Sequence, residues 1–247
     1  MLTAPWFVEA FTSEYLEVYS HRDEASARTE AKGALNLLRH DGGKGRLPDL
    51  AAGAGRHARA FRVLGCAVTC VDLSSDLTVH CAALGLPTVR GDMRAIPFGN
   101  GSFGAVACLF SSFGYFENEA EHQGTLDEIA RVLAPGGALL LDLMDPDTVG
   151  FKLEPQSVEL VNGKTIEVER AITEDGLRVE KQVRVLRSGA APMVWSESVR
   201  LFTRDDIDSL ATRARLRVEA VFGEFDGRPH ESGETRQLVV MRKPVAA

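Results

Sequence analysis

The sequence predicts an α/β fold: a mostly parallel sheet with helices on both faces, carrying an inserted antiparallel sheet. Three observations predict it. Between residues 47 and 144, short apolar runs alternate with stretches whose apolar residues recur at helical spacing, the rhythm of strand–helix–strand units. After Pro146 that rhythm gives way to polar–apolar alternation with no helix between segments. The chain then returns to a helix and two strands joined by the long loop 223–233.

Taken in order, residues 6–40 are expected to be helical in two pieces broken near Ser20, with Ala25, Ala27, Ala31, Ala34, Leu35 and Leu38 forming one small-residue face. Asp41-Gly-Gly-Lys-Gly45 ends this region as a turn. Strands follow at 47–51, 67–71 and 88–90, separated by helices at 56–64 and 76–84 that are closed by Gly65 and Gly85. A buried-strand pattern at 103–110, an amphipathic helix at 119–133, a turn at Ala134-Pro-Gly-Gly137 and an apolar strand at 138–144 complete the alternation. Three antiparallel strands are expected at 165–172, 177–187 and 193–202, with Glu174-Asp-Gly176 as a hairpin turn. Thr203-Arg-Asp-Asp206 reads as a capping box opening a helix to about residue 214, before strands at 217–222 and 235–242. The expected division is therefore 1–147 with 203–247 as one domain, and 148–202 as an inserted subdomain for substrate binding or dimerisation.

At 247 residues and 45% apolar composition, the chain is long enough for a sizeable core. A net charge of −7 and the lack of a basic run argue against a nucleic-acid partner. No apolar stretch reaches membrane-spanning length, and residues 1–10 show no basic-then-apolar leader, so the expectation is a cytoplasmic protein without a membrane partner. Cys66, Cys70, Cys81 and Cys108 form no C-x-x-C pair and have no histidine at ligand spacing, which makes them core residues and predicts no metal.

The chemistry concentrates where the first strand ends, in Asp49-Leu-Ala-Ala-Gly53-Ala-Gly55-Arg-His-Ala58. Glycines at 53 and 55 allow a tight turn and close backbone approach of a ligand at a helix N-terminus. Gly53-x-Gly55-x-x-Ala58 also satisfies the dinucleotide fingerprint, and Asp72 at the tip of the second strand suits a ribose diol in either case. Three features favour one cofactor over the other. Gly91-Asp92-Met93 places a carboxylate where an adenine amino group can be met; Phe110-Ser-Ser-Phe-Gly-Tyr-Phe116 brings aromatics and hydroxyls to the same edge; and the chain closes with an antiparallel pair.

At these residues the chain resembles the class I S-adenosylmethionine-dependent methyltransferases, strongly over residues 40–145. The resemblance implies a Rossmann-like seven-stranded sheet in the order 3-2-1-4-5-7-6, with the seventh strand antiparallel, and S-adenosyl-L-methionine as cofactor. It also implies roles by position: Asp49 to Gly55, Ala51 and Gly53 included, around the methionine part and ribose; Asp72 on the ribose hydroxyls; Leu73, Asp92 and Met93 on adenine; and Phe110 among the cofactor contacts. Ala51 stands where the family usually has a glycine. Gly91-Asp-Met-Arg94, the 110–115 stretch and Trp195-Ser-Glu-Ser-Val-Arg-Leu-Phe-Thr203 further resemble small-molecule N-methyltransferases with a β-insertion, the aminosugar N,N-dimethyltransferases among them. In those, the position of Tyr115 is often a histidine.

The expected reaction is methyl transfer to a small molecule, with an amine as the favoured acceptor. Tyr115, His122 and His230 are the candidate catalytic groups, His122 being either a pocket group or an exposed first-turn helix residue. Ser112, Tyr115, Trp195, Arg200 and Asp226 are candidate substrate contacts, the last together with His230 in a loop expected over the active edge. Tyr15, Tyr19 and Arg22 share a helix face and read as a lid over the cofactor. Transfer to a hydroxyl, an NAD(P)-dependent oxidoreductase and a non-catalytic binding module remain open on the sequence alone, as does a homodimer paired through the inserted sheet.

Overall fold

The computed structural model describes residues 5–18, 24–40 and 46–245. Two short helices, α1 (Trp6–Ala10) and α2 (Ser13–Val18), precede the long α3 (Glu24–Leu38). Strands and helices then alternate: β1 (Arg46–Leu50), α4 (Arg56–Val63), β2 (Ala67–Asp72), α5 (Ser75–Ala83), β3 (Thr88–Arg90) and β4 (Phe103–Cys108). A 3-10 turn at Ser112–Tyr115 leads to α6 (Glu119–Val132) and β5 (Leu133–Met144). After α7 (Pro146–Lys152) come β6 (Gln156–Val161), β7 (Lys164–Ile172), β8 (Arg178–Leu186) and β9 (Met193–Arg200). Helix α8 (Arg204–Arg213), β10 (Arg217–Phe222) and β11 (Arg236–Arg242) finish the chain.

The main sheet has seven strands in the order β3-β2-β1-β4-β5-β11-β10, the expected order, with β11 antiparallel to both its neighbours. Helices cover both faces. Ala27, Ala31 and Ala34 let α3 lie close on one face beside Phe61 of α4. Leu126 and Ile129 of α6 and Leu210 of α8 fill the other. Ser74 caps α5 by accepting the Leu77 N–H, Asn118 caps α6 at Glu121, and the capping box of Thr203 and Asp206 opens α8 as its sequence predicts. Among the described residues no helix is long and apolar enough to cross a membrane.

Four local readings change. The N-terminal helical region holds three helices where two were expected, and the expected break near Ser20 lies outside the described residues. The Ala134–Gly137 run does not precede the fifth strand; it is looped out within β5, because Leu133 already pairs with Phe103 and pairing resumes at Ala138 with Ala105. The inserted sheet has four strands, in the order β6-β7-β8-β9, where three were expected. Strand β6 is an edge strand whose Val158 and Leu160 face solvent, so burial imposes no apolar pattern on it. Its signal is instead the Asn162-Gly163 turn, both residues at positive φ, a strong hairpin signature. Helix α6 is the fourth case: His122 in its first turn is 2% exposed, not at the surface.

One face of the inserted sheet is dry. Ile166, Val168, Val183 and Val185 cluster there with Val18 of α2, so the N-terminal helices and the insertion share a small core.

At the end of β1 the backbone must turn sharply, and it does so through Ala51 at φ +54°. A Cβ in the left-handed region costs about 1–2 kcal/mol, offset in part by the greater chain entropy that glycine loses on folding. Ala51→Gly should therefore stabilise the protein by about 0.5–1 kcal/mol; a thermal melt at or below that of the parent protein would contradict this.

Candidate active site

The C-terminal ends of β1 to β4 open on a cavity of about 380 Å³, roofed by α1 and α2. Of the residues singled out in the sequence, Tyr15, Asp49, Ala51, Gly53, Asp72, Leu73, Asp92, Met93, Phe110, Ser112 and Tyr115 all line it.

The floor is built by hydrogen bonds between loops. Asp72 ends β2, and its two carboxylate oxygens accept the N–H of Gly53 at 2.8 Å and of Ser74 at 2.9 Å. Burial raises its carboxyl above the ordinary value despite these bonds. Gly53, at φ +56°, presents open space where a Cβ would stand. Gly55 differs: a Cβ there would meet Leu86 at 2.7 Å and the Cys81 sulfur at 2.9 Å, and Gly55 does not line the cavity. Lacking a side chain there, Gly55 lets the start of α4 pack closely against α5 and the loop that follows it.

Asp49 is 2% exposed, and its Oδ2 has no hydrogen-bond partner. Burial pushes its carboxyl up to about 6, with Asp72 adding to the rise while His57 and Arg56 pull the other way. Those two residues follow Gly55 in the first turn of α4 and also line the cavity. Glu30 of α3 holds them, 2.7 Å from His57 Nε2 and 3.0 Å from Arg56. Burial alone would raise the Glu30 carboxyl, yet the His57 hydrogen bond and the Arg56 charge keep it below the ordinary value.

The far wall comes from the strand β4 exit. Phe110 and Ser111 both have positive φ, +63° and +62°. Asp142 of β5 pins this arch: its Oδ2 accepts the Phe110 N–H at 3.0 Å and its main-chain carbonyl accepts the Ser111 N–H at 2.9 Å. The Arg56 guanidinium lies 5.1 Å from the Phe110 ring. Ser112 donates its hydroxyl to the Leu109 carbonyl.

Aromatic side chains form the mouth. Tyr115 stacks on Phe11 at 5.5 Å and meets Trp6 edge-on at 4.8 Å, while Phe11 meets Tyr15 at 4.9 Å. The lid they belong to is seated on α5, where the Ser74 hydroxyl donates to the Phe11 carbonyl at 2.5 Å and Asp76 accepts the Ser13 N–H at 2.9 Å. Tyr19 and Arg22, the other expected lid residues, lie outside the described residues.

Besides Gly55, five expected site residues are not brought to this cavity. His122 is walled in by Phe113, Phe116 and Phe202 with ring centroids 5.0 to 5.6 Å away, and burial, reinforced by the charge of Arg178, pushes its imidazole down to about 4. It is a neutral core residue. His230 sits 2.8 Å from Asp145, and Asp226 bonds to Arg228, because the 223–233 loop folds back on β10 and docks beside α7 instead of opening over β1 to β4. Trp195 packs on the dry face of the insertion with its indole N–H donating to Glu197. Arg200 donates to the Leu177 carbonyl and faces Asp206. The residues missed by sequence reading are Phe7, Phe11, Arg56, His57 and Asp142; only the helix-opening position of Arg56 and His57 behind Gly55 carries a local signal.

Residues 48–141 match the methyltransferase domain family. Over 245 residues the chain is 27% identical to dTDP-3-amino-3,6-dideoxy-alpha-D-glucopyranose N,N-dimethyltransferase of Streptomyces fradiae, covering 92% of this chain and 95% of that one. It is 30% identical over 190 residues to dTDP-3-amino-3,4,6-trideoxy-alpha-D-glucopyranose N,N-dimethyltransferase of Streptomyces venezuelae, covering 74% and 79% respectively. The chain belongs to the class I S-adenosylmethionine-dependent methyltransferases. Its fold is similar to that of the S-adenosylmethionine-bound amino pentose methyltransferase from Micromonospora echinaspora involved in calicheamicin biosynthesis, with a TM-score of 0.68 and 23% identity over 93% of this chain and 95% of that one.

S-adenosyl-L-methionine is therefore the methyltransferase's cofactor, and the dinucleotide reading of the glycine loop is set aside. The residues present fit it: an unpartnered buried carboxylate oxygen, Asp49 Oδ2, suits an ammonium group, and the open side of Gly53 leaves room for a ligand against the backbone.

Three outcomes follow for the methyltransferase. An ammonium group facing Asp49 favours the ionised carboxylate, so binding below pH about 6 must release a proton. Cofactor affinity should weaken as pH falls through that value and level off above it, while Asp49→Asn should bind more weakly with a flat profile; calorimetry across pH checks both. The cofactor-free protein should lose stability in the opposite sense, as pH rises from about 3.9 towards the folded value, because burial opposes the charged form. Replacing His122 by Leu removes a buried unpartnered nitrogen and should leave the melting temperature unchanged or higher; a large loss of stability would show that its Nε2 has a partner of consequence.

Proposed function

We propose that the enzyme transfers the methyl group of S-adenosylmethionine to an amine nitrogen of a small molecule held at the aromatic mouth. The observation that carries this reading is the position of the two candidate histidine bases. His122 is buried and neutral, and His230 is paired with Asp145 outside the cavity; of the histidines that do line it, His57 is bound to Glu30 at 2.7 Å and His80 stands on α5, whereas the mouth offers the Tyr115 hydroxyl among aromatic faces. The sulfonium supplies an already activated methyl group. An amine needs only to lose its proton to solvent and meet that carbon in line, forming the C–N bond as the C–S bond breaks. A hydroxyl needs a positioned base. Alignment by the lid and arch supplies the remainder, worth up to about 7–11 kcal/mol in favourable cases. The similarity to two N,N-dimethyltransferases supports the same acceptor chemistry.

In this reading Asp49 faces the methionine ammonium, Asp72 the ribose hydroxyls, and Leu73, Asp92 and Met93 the adenine. Tyr15 and the α1–α2 lid close over the cofactor, and Ser112 and Tyr115 face the acceptor. The inserted sheet, residues 148–202, serves as a subdomain that supports the acceptor side or pairs two copies, and the enzyme works in the cytoplasm.

The test is a pH–rate profile with amine acceptors. The rate should rise with pH until the amine is deprotonated, and Tyr115→Phe should lower kcat about 10-fold without abolishing turnover. Loss of all activity at every pH in His230→Ala, with cofactor binding retained, would reassign the reaction to a hydroxyl acceptor.

A further inference from the structure

Arg94 follows Asp92 by two residues in the loop after β3, and its guanidinium touches four separate parts of the fold. Along its edge, Nε reaches both Asp92 oxygens at 3.1 Å and Nη2 reaches Oδ2 at 2.7 Å, while Nη1 donates to Glu121 in the first turn of α6. Towards its faces lie the rings of Phe7 in α1, 5.6 Å away, and of Phe116 behind the 3-10 turn, 5.1 Å away. Phe7 and Phe116 meet edge-on at 5.7 Å, and both line the cavity. Burial alone would raise the Asp92 carboxyl, yet the Arg94 fork holds it below the ordinary value.

The arrangement is unusual in what it joins. One planar cation is anchored by edge to the carboxylate placed at the adenine end and by face to the ring that seats the lid. Anything that takes up hydrogen-bonding capacity of Asp92 must change the Asp92–Arg94 fork, and a rigid guanidinium passes that change to Phe7. Trp6 is the next residue, packed on Tyr115 at the acceptor mouth.

We propose that Arg94 is a positioning residue that couples occupation of the adenine end to the seating of the lid helix α1, so that the acceptor mouth is formed only once the cofactor is in place. This rests on the placement of adenine at Asp92 given above, and the experiment separates the two.

The chain has two tryptophans, so Trp195→Phe leaves Trp6 as the only indole reporter. In that background, Trp6 emission is followed while titrating S-adenosylhomocysteine or methylthioadenosine, which carries the adenine and ribose but not the amino-acid part. Both ligands should shift the emission. With Arg94→Ala, S-adenosylhomocysteine should still bind by calorimetry, weakened by no more than about 10-fold, but the Trp6 shift should vanish and kcat should fall more than KM rises. Arg94→Lys, which keeps the charge but not the planar fork, should fail to restore the shift. Phe7→Ala leaves the Asp92–Arg94–Glu121 contacts in place and should abolish the shift in the same way, which keeps the test open if Arg94→Ala does not fold. A Trp6 shift that survives in either alanine variant overturns the coupling, as does rescue by lysine. Unchanged affinity in Asp92→Ala overturns the adenine placement, and a shift with S-adenosylhomocysteine but not with methylthioadenosine shows that the lid answers to the amino-acid end and overturns the coupling alone.

Discussion

One carboxylate shapes the open edge of the sheet. Asp72 gives one oxygen to Gly53 and the other to Ser74, so the loop leaving β1 and the turn entering α5 are held to a single buried group. Ser74 in turn caps α5 and donates its hydroxyl to Phe11, so the lid is tied to that same turn. The cavity thus has a floor and a roof fastened within a few residues of each other, beside the β1–β4 junction where the strand order reverses and open α/β sheets bind ligands.

The opposite wall is held differently. Two consecutive non-glycine residues, Phe110 and Ser111, sit in the left-handed region, a strain on the order of 1–3 kcal/mol each. Asp142 answers it from the neighbouring strand with both its side chain and its main chain. Arg236 lies 3.5 Å from Asp142 and 4.0 Å from Glu30, which binds His57 and Arg56. A chain of charges therefore runs behind the cavity from the β4 arch to the first turn of α4. Such a network is a way of fixing geometry more than of adding stability, since each buried ion loses hydration that its partners only just restore.

What the sequence made legible was what is local. The alternating periodicities gave the strand order's raw material, and the Asp49–Gly55 and Gly91–Met93 runs carry their chemistry in consecutive residues, so the arrival of all but Leu50 and Gly55 at one cavity was readable in advance. Burial was not. His122 follows a good capping Asn118 and looks like a surface residue of a first turn; Phe113 and Phe116 from the stretch just before it and Phe202 from a distant one enclose it. Asp142 has no signature because its partner, Phe110, lies 32 residues away, and the position of His57 behind Gly55 hints at a site without showing that Glu30, 27 residues away, holds it. Strand β6 failed for the reverse reason: its apolar residues point outward, so pattern and burial part company, and the Asn162-Gly163 turn carried the only clear signal.

The lid is written first in the chain but seated last. Val18 lies in one cluster with Val183 and Val185, Gly114 leaves room for the backbone of Arg200 to press on the 3-10 turn below Tyr115, and Phe7 and Trp6 rest on that same stretch. During synthesis residues 6–18 can reach the α5 turn early, but the apolar seat of Val18 is missing until the inserted sheet, well over a hundred residues later, has left the ribosome and folded. Such contacts between distant parts of the chain come at a high loop-closure cost and form late. A nascent chain can complete its glycine loop, its sheet centre and the Tyr115–Phe116 stretch early, yet the far end of its lid stays unanchored until β8 and β9 exist to receive Val18.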